Sequence, residues 1–236
     1  MREVEPNKGL KLLEFFGIPG VGKTYLVRTA LPTGIERPMD WFSQGGRARR
    51  IARKVSLILK HMPTALSSGF WARKMIGLYR PLSWRRRGKI LFNWVFVDCL
   101  IREMARSGTP IVVLDQGISQ ALWSTQFGAG RDCPSEEVRA LLRRYLKGLP
   151  ISEWVVVRVT ASPEIVRKRV AGRKGFSPVD REIGSMNEAY LAELKVGEVL
   201  NALVDSSDNS LQISAIEFVN DNEGAARRLR EVMGWR

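Results

Sequence analysis

The chain has 236 residues, 44% of them hydrophobic, and a formal net charge of +14. That apolar share supports a sizeable core and excludes global disorder, and the length suits one α/β domain, residues 1–236, with an insertion. No secretory signal and no spanning helix of roughly 18 apolar residues are expected, and no disulfide framework either, because the two cysteines, Cys99 and Cys133, lack CxxC spacing and suit a reducing cytosol.

In chain order, Leu12-Leu13-Glu14-Phe15-Phe16 reads as a short buried strand. Gly17-Ile18-Pro19-Gly20-Val21-Gly22-Lys23-Thr24 follows, and Tyr25 to Ala30 reads as the first turns of a helix. This is the strand–GxxxxGK[ST]–helix context of a phosphate-binding loop. Gly17, Gly20 and Gly22 let the backbone curl so that the N–H groups of the loop, Val21 and Tyr25 included, point into one hollow at a helix N-terminus. Such a hollow favours a polyphosphate. Lys23 is expected to reach the β- and γ-phosphates and the Thr24 hydroxyl to ligate Mg²⁺.

Ile35-Glu36 starts a short second strand. Between Trp41 and Val97 there is no acidic residue, whereas 13 lysines and arginines stand there, almost the whole charge excess of the chain. Residues 47–62 place Ile51, Val55, Ile58, Leu59 and Met62 at helical spacing with cations on the other faces, and Pro63 is expected to stop that helix. His61, the single histidine, reads as a surface residue, and alone it leaves little room for a triad or a zinc site. Residues 69–79 are aromatic and basic together, 81–88 read as a loop containing Arg85-Arg86-Arg87, and 89–106 as a long apolar helix.

Pro110 to Asp115 is a β-branched run ending in a carboxylate, expected as a central parallel strand. Helices follow at 119–127 and, opened by Ser135-Glu136-Glu137, to Lys147. Trp154 to Val159 is a further strand, and Ser162-Pro163-Glu164 caps a helix to about 173. A long helix runs from about 180 to 203, then a strand at 211–216 and a helix at 222–233. The alternation predicts a three-layer, doubly wound parallel sheet of about five strands, with the site at the strands' C-terminal ends.

Asp115 stands where a Walker-B-type aspartate would, able to hold Mg²⁺ or accept a proton from an attacking hydroxyl. Arg169 and Arg173 lie four apart on one helix face before a glycine-flanked loop. They suit a closing lid, about 167–181, that neutralises a transferring phosphoryl group. Glu36, at the end of the second strand, is an alternative base facing an acceptor.

Together these residues resemble the nucleoside and nucleotide kinase branch of the phosphate-loop proteins, the thymidylate-kinase-like group in particular. Gly17–Thr24 corresponds to the family's nucleotide loop. Asp115-Gln116-Gly117 stands where those kinases carry a strand-ending Asp-Arg or Glu-Arg, with glutamine in place of the arginine. Ser162-Pro163-Glu164 leading to Arg169 and Arg173 is similar to the start of the family's lid helix, and Glu36-Arg37-Pro38 with Trp41 to the Glu-Pro and Trp element of deoxynucleoside kinases. The resemblance implies ATP, Mg²⁺ and γ-phosphoryl transfer to a small acceptor, and it allows a homodimer.

The basic region at about 41–97 departs from the family. It reads as a pocket for an anionic acceptor, as a surface for anionic membrane or nucleic acid through residues 47–89, or as a solvated helical excursion. The expectation is a cytoplasmic kinase, peripheral at the inner membrane face under the second reading. From another class, the alternative is a nucleotide-switched binding module that engages membrane or nucleic acid through its basic helices.

Overall fold

β1 (Leu10–Phe16) is buried along nearly its whole length, with Leu12, Phe15 and Phe16 at 0% exposure. A strand buried on both faces has to be central and covered on both sides. The structure, a computed structural model, describes residues 9–32, 34–79, 83–129, 135–172, 186–205, 211–221 and 224–235. β1 pairs in parallel with β2 (Ile111–Leu114) on one side and β3 (Ile151–Thr160) on the other, and β3 pairs in parallel with β4 (Gln212–Val219). The order is β2-β1-β3-β4. The expected second strand is reduced to one bridge, Glu36 to Val112, on the outer side of β2. The doubly wound parallel sheet is therefore present with four strands and that bridge as the fifth position.

The helices among the described residues are α1 (Lys23–Ala30), α2 (Pro38–Ser43), α3 (Arg47–Lys60), α4 (Met62–Leu78), α5 (Trp84–Arg106), α6 (Ile118–Ala129), α7 (Ser135–Lys147), α8 (Pro163–Ala171), α9 (Met186–Val204) and α10 (Ala225–Val232). α1 packs on β1 and on α10; α6 packs on β1 and α9, and α9 reaches α7 and β4. α3 and α4 both lie along α5, which in turn packs on α6, so the basic insertion is a helical layer built onto the sheet's flank.

As expected, α3 ends just ahead of the proline: it closes at Lys60, His61 is non-helical at φ −112° and ψ 33°, and a second helix then opens around Pro63. Pro63 sits in the first turn of α4, where a missing N–H costs nothing. The two helices meet at His61: its N–H donates to Leu57 O at 3.2 Å at the end of α3, and its carbonyl accepts from the Ala65 N–H at 2.8 Å at the start of α4. The expected loop at 81–88 is helical from Trp84 onward, Ser83 standing at its N-terminus.

His61 is not a surface residue. It is 1% exposed, with Nε2 2.7 Å from Glu103 Oε2 and Nδ1 3.0 Å from the Arg106 guanidinium. Nearby, buried Asp98 accepts from the Ser68 hydroxyl and from Arg102 Nε at 2.7 Å. These bonds lock α4 to α5 through groups that the apolar pattern of α5 hides.

Candidate phosphate and acceptor site

The loop between β1 and α1 is curled as its glycines demand. Gly17, Gly20 and Gly22 all have positive φ, and Gly22, at φ 93°, stands at the N-terminus of α1. A Cβ at Gly22 would lie 2.4 Å from Asn220 Nδ2, and one at Gly17 2.3 Å from Val159 O. Only glycine fits either position.

Lys23 folds over the hollow. Its Nζ donates to Gly17 O at 2.5 Å and to Ile18 O at 3.2 Å. The ammonium thus stands at the mouth of the loop, where a polyphosphate would replace the carbonyls as its partner. The Thr24 hydroxyl donates to Asp115 Oδ2 at 2.8 Å, across 91 residues of sequence. Strand order produces this contact: β2 lies beside β1, so the residue ending β2 meets the first turn of the helix that follows β1. A hydroxyl and a carboxylate are oxygen donors of the kind Mg²⁺ takes, with substrate phosphates completing the shell. Among the described residues no cluster of three or more His, Cys, Asp or Glu forms a metal cage of its own. The donor set therefore fits a metal that arrives with its nucleotide. Val21 is buried and presents its carbonyl away from the hollow; Tyr25 is 54% exposed on α1.

Arg169, on α8, lies against the loop. Its guanidinium donates to Val21 O at 3.0 Å and to Asn220 O at 3.0 Å. The Asn220 amide, 1% exposed beyond the end of β4, donates to the same Val21 carbonyl at 2.6 Å. α8 is positioned by its N-cap, the Ser162 hydroxyl accepting from the Ile165 N–H at 3.4 Å. In this arrangement Arg169 ties the loop to the β4 end. Arg173, most of the expected lid and Arg181 lie outside the described residues.

Two residues that the sequence reading did not single out stand here, Asn220 and Glu14. The Glu14 carboxylate is fully buried beneath the Asp115–Gly117 turn, and accepts from the Gln120 N–H at the start of α6 and from the Trp154 indole, each at 3.2 Å. Burial pushes its pKa up to about 7, and those two hydrogen bonds pull the other way. A Cβ at Gly117 would come within 2.6 Å of this carboxyl, so the glycine after Asp115-Gln116 serves close approach. The polar residue in an otherwise apolar strand was the available signal.

Glu36 lies one strand further out, its carbonyl accepting from the Val113 N–H at 3.1 Å. It lines a cavity of about 370 Å³ with Trp41, Phe42, Arg53, Leu57 and Lys60, walled by α2, α3 and α5. Arg53 stacks on Trp41 at 4.7 Å and donates to Trp41 O at 2.6 Å, which fixes one wall. The cavity thus offers the Glu36 and Glu103 carboxylates, the latter paired with Lys60 at 2.5 Å, together with the Arg53 cation and an aromatic face, beside the strand that ends in Asp115.

The curled loop, its lysine and the Thr24–Asp115 pair define a phosphate-loop fold. No family model matches the chain, and no curated protein matches it. Among solved structures it is similar to deoxyadenosine kinase from M. mycoides with the products dCMP and a flexible dCDP bound, at 11% identity and a TM-score of 0.46, over 94% of this chain and 96% of that one. It is also similar to deoxyadenosine kinase from M. mycoides with bound dCTP, at 10% identity and a TM-score of 0.45, over 94% and 97%.

Proposed function

We propose that the protein is a kinase that transfers the γ-phosphoryl group of ATP, with Mg²⁺, to a small acceptor held in the cavity beside Glu36. The observation that carries this reading is the Thr24 hydroxyl on Asp115 at 2.8 Å directly after the phosphate loop. It supplies the nucleotide site with an oxygen-donor pair for a metal, next to a separate cavity. The metal's contribution is to neutralise charge developing on the β- and γ-oxygens.

The chain's own residues bind and orient. The loop amides and Lys23 hold the polyphosphate. Trp41 and Arg53 form a flat, cationic wall suited to a planar or anionic acceptor. Glu36 stands as the base toward the acceptor hydroxyl, with Asp115 at the metal; the reverse assignment of the base falls to Asp115. Arg169 keeps the loop's path, and with Arg173 it would neutralise the transferring phosphoryl group.

The test is a screen with γ-labelled ATP and Mg²⁺ over nucleosides, nucleotides, sugars and extracted lipids. The expected result is one labelled product class, formed at least about a hundredfold more slowly by Lys23→Ala. Unchanged rates in that variant, or no binding of ATP or GTP by calorimetry, overturn the reading. Glu36→Gln should then lower kcat with little change in the KM for ATP, and Asp115→Asn should raise the Mg²⁺ requirement. Only slow, acceptor-independent hydrolysis would favour a nucleotide-switched binding module, a reading supported by the exposed face of α3 and α4.

A further inference from the structure

The observation is a stripe of exposed apolar side chains that runs the length of α3 and α4. Ile51, Val55, Leu59, Met62, Leu66 and Phe70 are 47%, 38%, 57%, 42%, 70% and 54% exposed. Their spacings are four, four, three, four and four residues. At 3.6 residues per turn Ile51, Val55 and Leu59 fall within an arc of about 80° on α3, and Met62, Leu66 and Phe70 within about 80° on α4. Scattered exposed hydrophobics are ordinary; three on one face of each of two successive helices form an apolar surface.

The cations flank this stripe, with Lys74 Nζ over the Phe70 ring at 4.4 Å. Those in the middle have partners on the protein: Arg53 on Trp41, Lys54 over the Phe96 ring at 4.3 Å, and Lys60, its side chain 62% exposed, on Glu103 at 2.5 Å. Those at the ends remain exposed, Arg47, Arg49 and Arg50 at the start of α3 and Arg73 and Lys74 toward the end of α4. The five-residue link from Leu78 to Trp84 brings the start of α5 to the same end, where Trp84 is 77% exposed and Arg85 and Arg87 are exposed as well. From Trp41 to Val97 no acidic residue offsets them.

We propose that this face of α3 and α4 docks on an anionic membrane surface, with the apolar stripe in the interfacial layer and the end cations on lipid phosphates. Charge complementarity selects this occupant. A second copy laid on the same face would oppose two cationic surfaces that have no acid between them. A nucleic acid would leave the apolar centre against phosphates. An anionic bilayer offers negative headgroups and an apolar layer together, which is what a basic helix with an apolar stripe and an interfacial tryptophan fits. The attachment is peripheral, since no helix among the described residues is long and apolar enough to cross a membrane. α3 also walls the Glu36 cavity with Arg53, Ser56, Leu57 and Lys60, so one helix serves both surfaces.

The test is flotation of the full chain, without nucleotide, with vesicles of phosphatidylcholine alone and vesicles carrying about 30% phosphatidylglycerol. The protein is expected to float with the anionic vesicles only. Leu66→Glu with Phe70→Glu should lower the bound fraction about tenfold or more. Arg73→Gln with Lys74→Gln should lower it about tenfold as well, and serves if the first pair fails to fold. Absence of flotation overturns the proposal. So does flotation that both variant pairs leave unchanged. A concentration-dependent dimer dissolved by the Leu66/Phe70 pair assigns the face to a second copy, and duplex DNA retention without flotation assigns it to nucleic acid; either overturns it too. Because nucleotide is absent, the result is independent of the phosphoryl-transfer reading: loss of ATP binding leaves it standing, and loss of flotation leaves the kinase reading standing.

Discussion

Asn220 reaches the phosphate loop from 199 residues along the chain and donates to a single carbonyl, that of Val21. Arg169 donates to the same oxygen, so the outer side of the loop is held by two side chains from two different elements. Asn220→Ala removes one donor and is expected to cost about 1 kcal/mol of stability, read by denaturant unfolding. Asn220→Asp replaces the donor with a carboxylate that faces a carbonyl beside the phosphate hollow. Its ATP affinity should fall by about tenfold or more in calorimetry, further than for alanine. Glu14 makes a different prediction. Its pKa is raised from 4.5 to about 7 in the folded protein, so the fold binds a proton that the unfolded chain has released. The stability this provides is full below pH 4.5 and is lost as the pH rises through about 7. The swing is about 3 kcal/mol in the limit of complete burial. Melting temperature should therefore decline from pH 5 to about pH 8. Glu14→Gln should flatten that decline, since its amide carries no charge at any of these pH values.

At the scale of elements, the helical insertion is held by polar groups as much as by apolar ones. Asp98 is 2% exposed and joins Ser68 on α4 to Arg102 on α5. Asp98→Ala leaves the Arg102 charge half-buried without its carboxylate, and should cost about 3 kcal/mol by chemical denaturation. Leu59→Ala, on the exposed stripe of α3, should change stability by no more than about 0.5 kcal/mol in the same measurement. The amphipathic pattern of 47–62 was legible because it is a local periodicity. Pro63 was legible as a stop, because it has no N–H to continue the helix before it; that a second helix opens at once around it was decided by the packing on α5. The start of α5 at Trp84 was hidden for a related reason. Three consecutive arginines read as loop when their neighbours are unknown, yet Arg86 lies over the Phe127 ring at 5.3 Å, a partner on another helix.

For the molecule as a whole, the fold carries a phosphate-loop hollow, a separate cavity and an exposed basic flank on one scaffold. If the hollow holds Mg²⁺-ATP, ligand at a hundred times its Kd should stabilise the native state by about 2.7 kcal/mol. The thermal shift should be absent in Lys23→Ala and present in Leu66→Glu, which lies on the flank. The alternation of strands and helices was enough to predict a parallel sheet with helices on both sides, and the structure has it. The second strand shrank to the Glu36–Val112 bridge because an edge position leaves few residues to pair.

The sequence by itself determined the loop, because glycine at 17, 20 and 22 and the Lys23-Thr24 pair act on backbone within a few residues of one another. It also determined where the charge lies, since that is a sum along the chain. Tertiary structure alone decided that His61 is buried, that Asn220 and Arg169 clasp Val21, and that Thr24 meets Asp115. Each of these depends on which strand lies beside which and on where a helix crosses another. That choice is made by the burial of the whole core, and no short stretch of residues carries it.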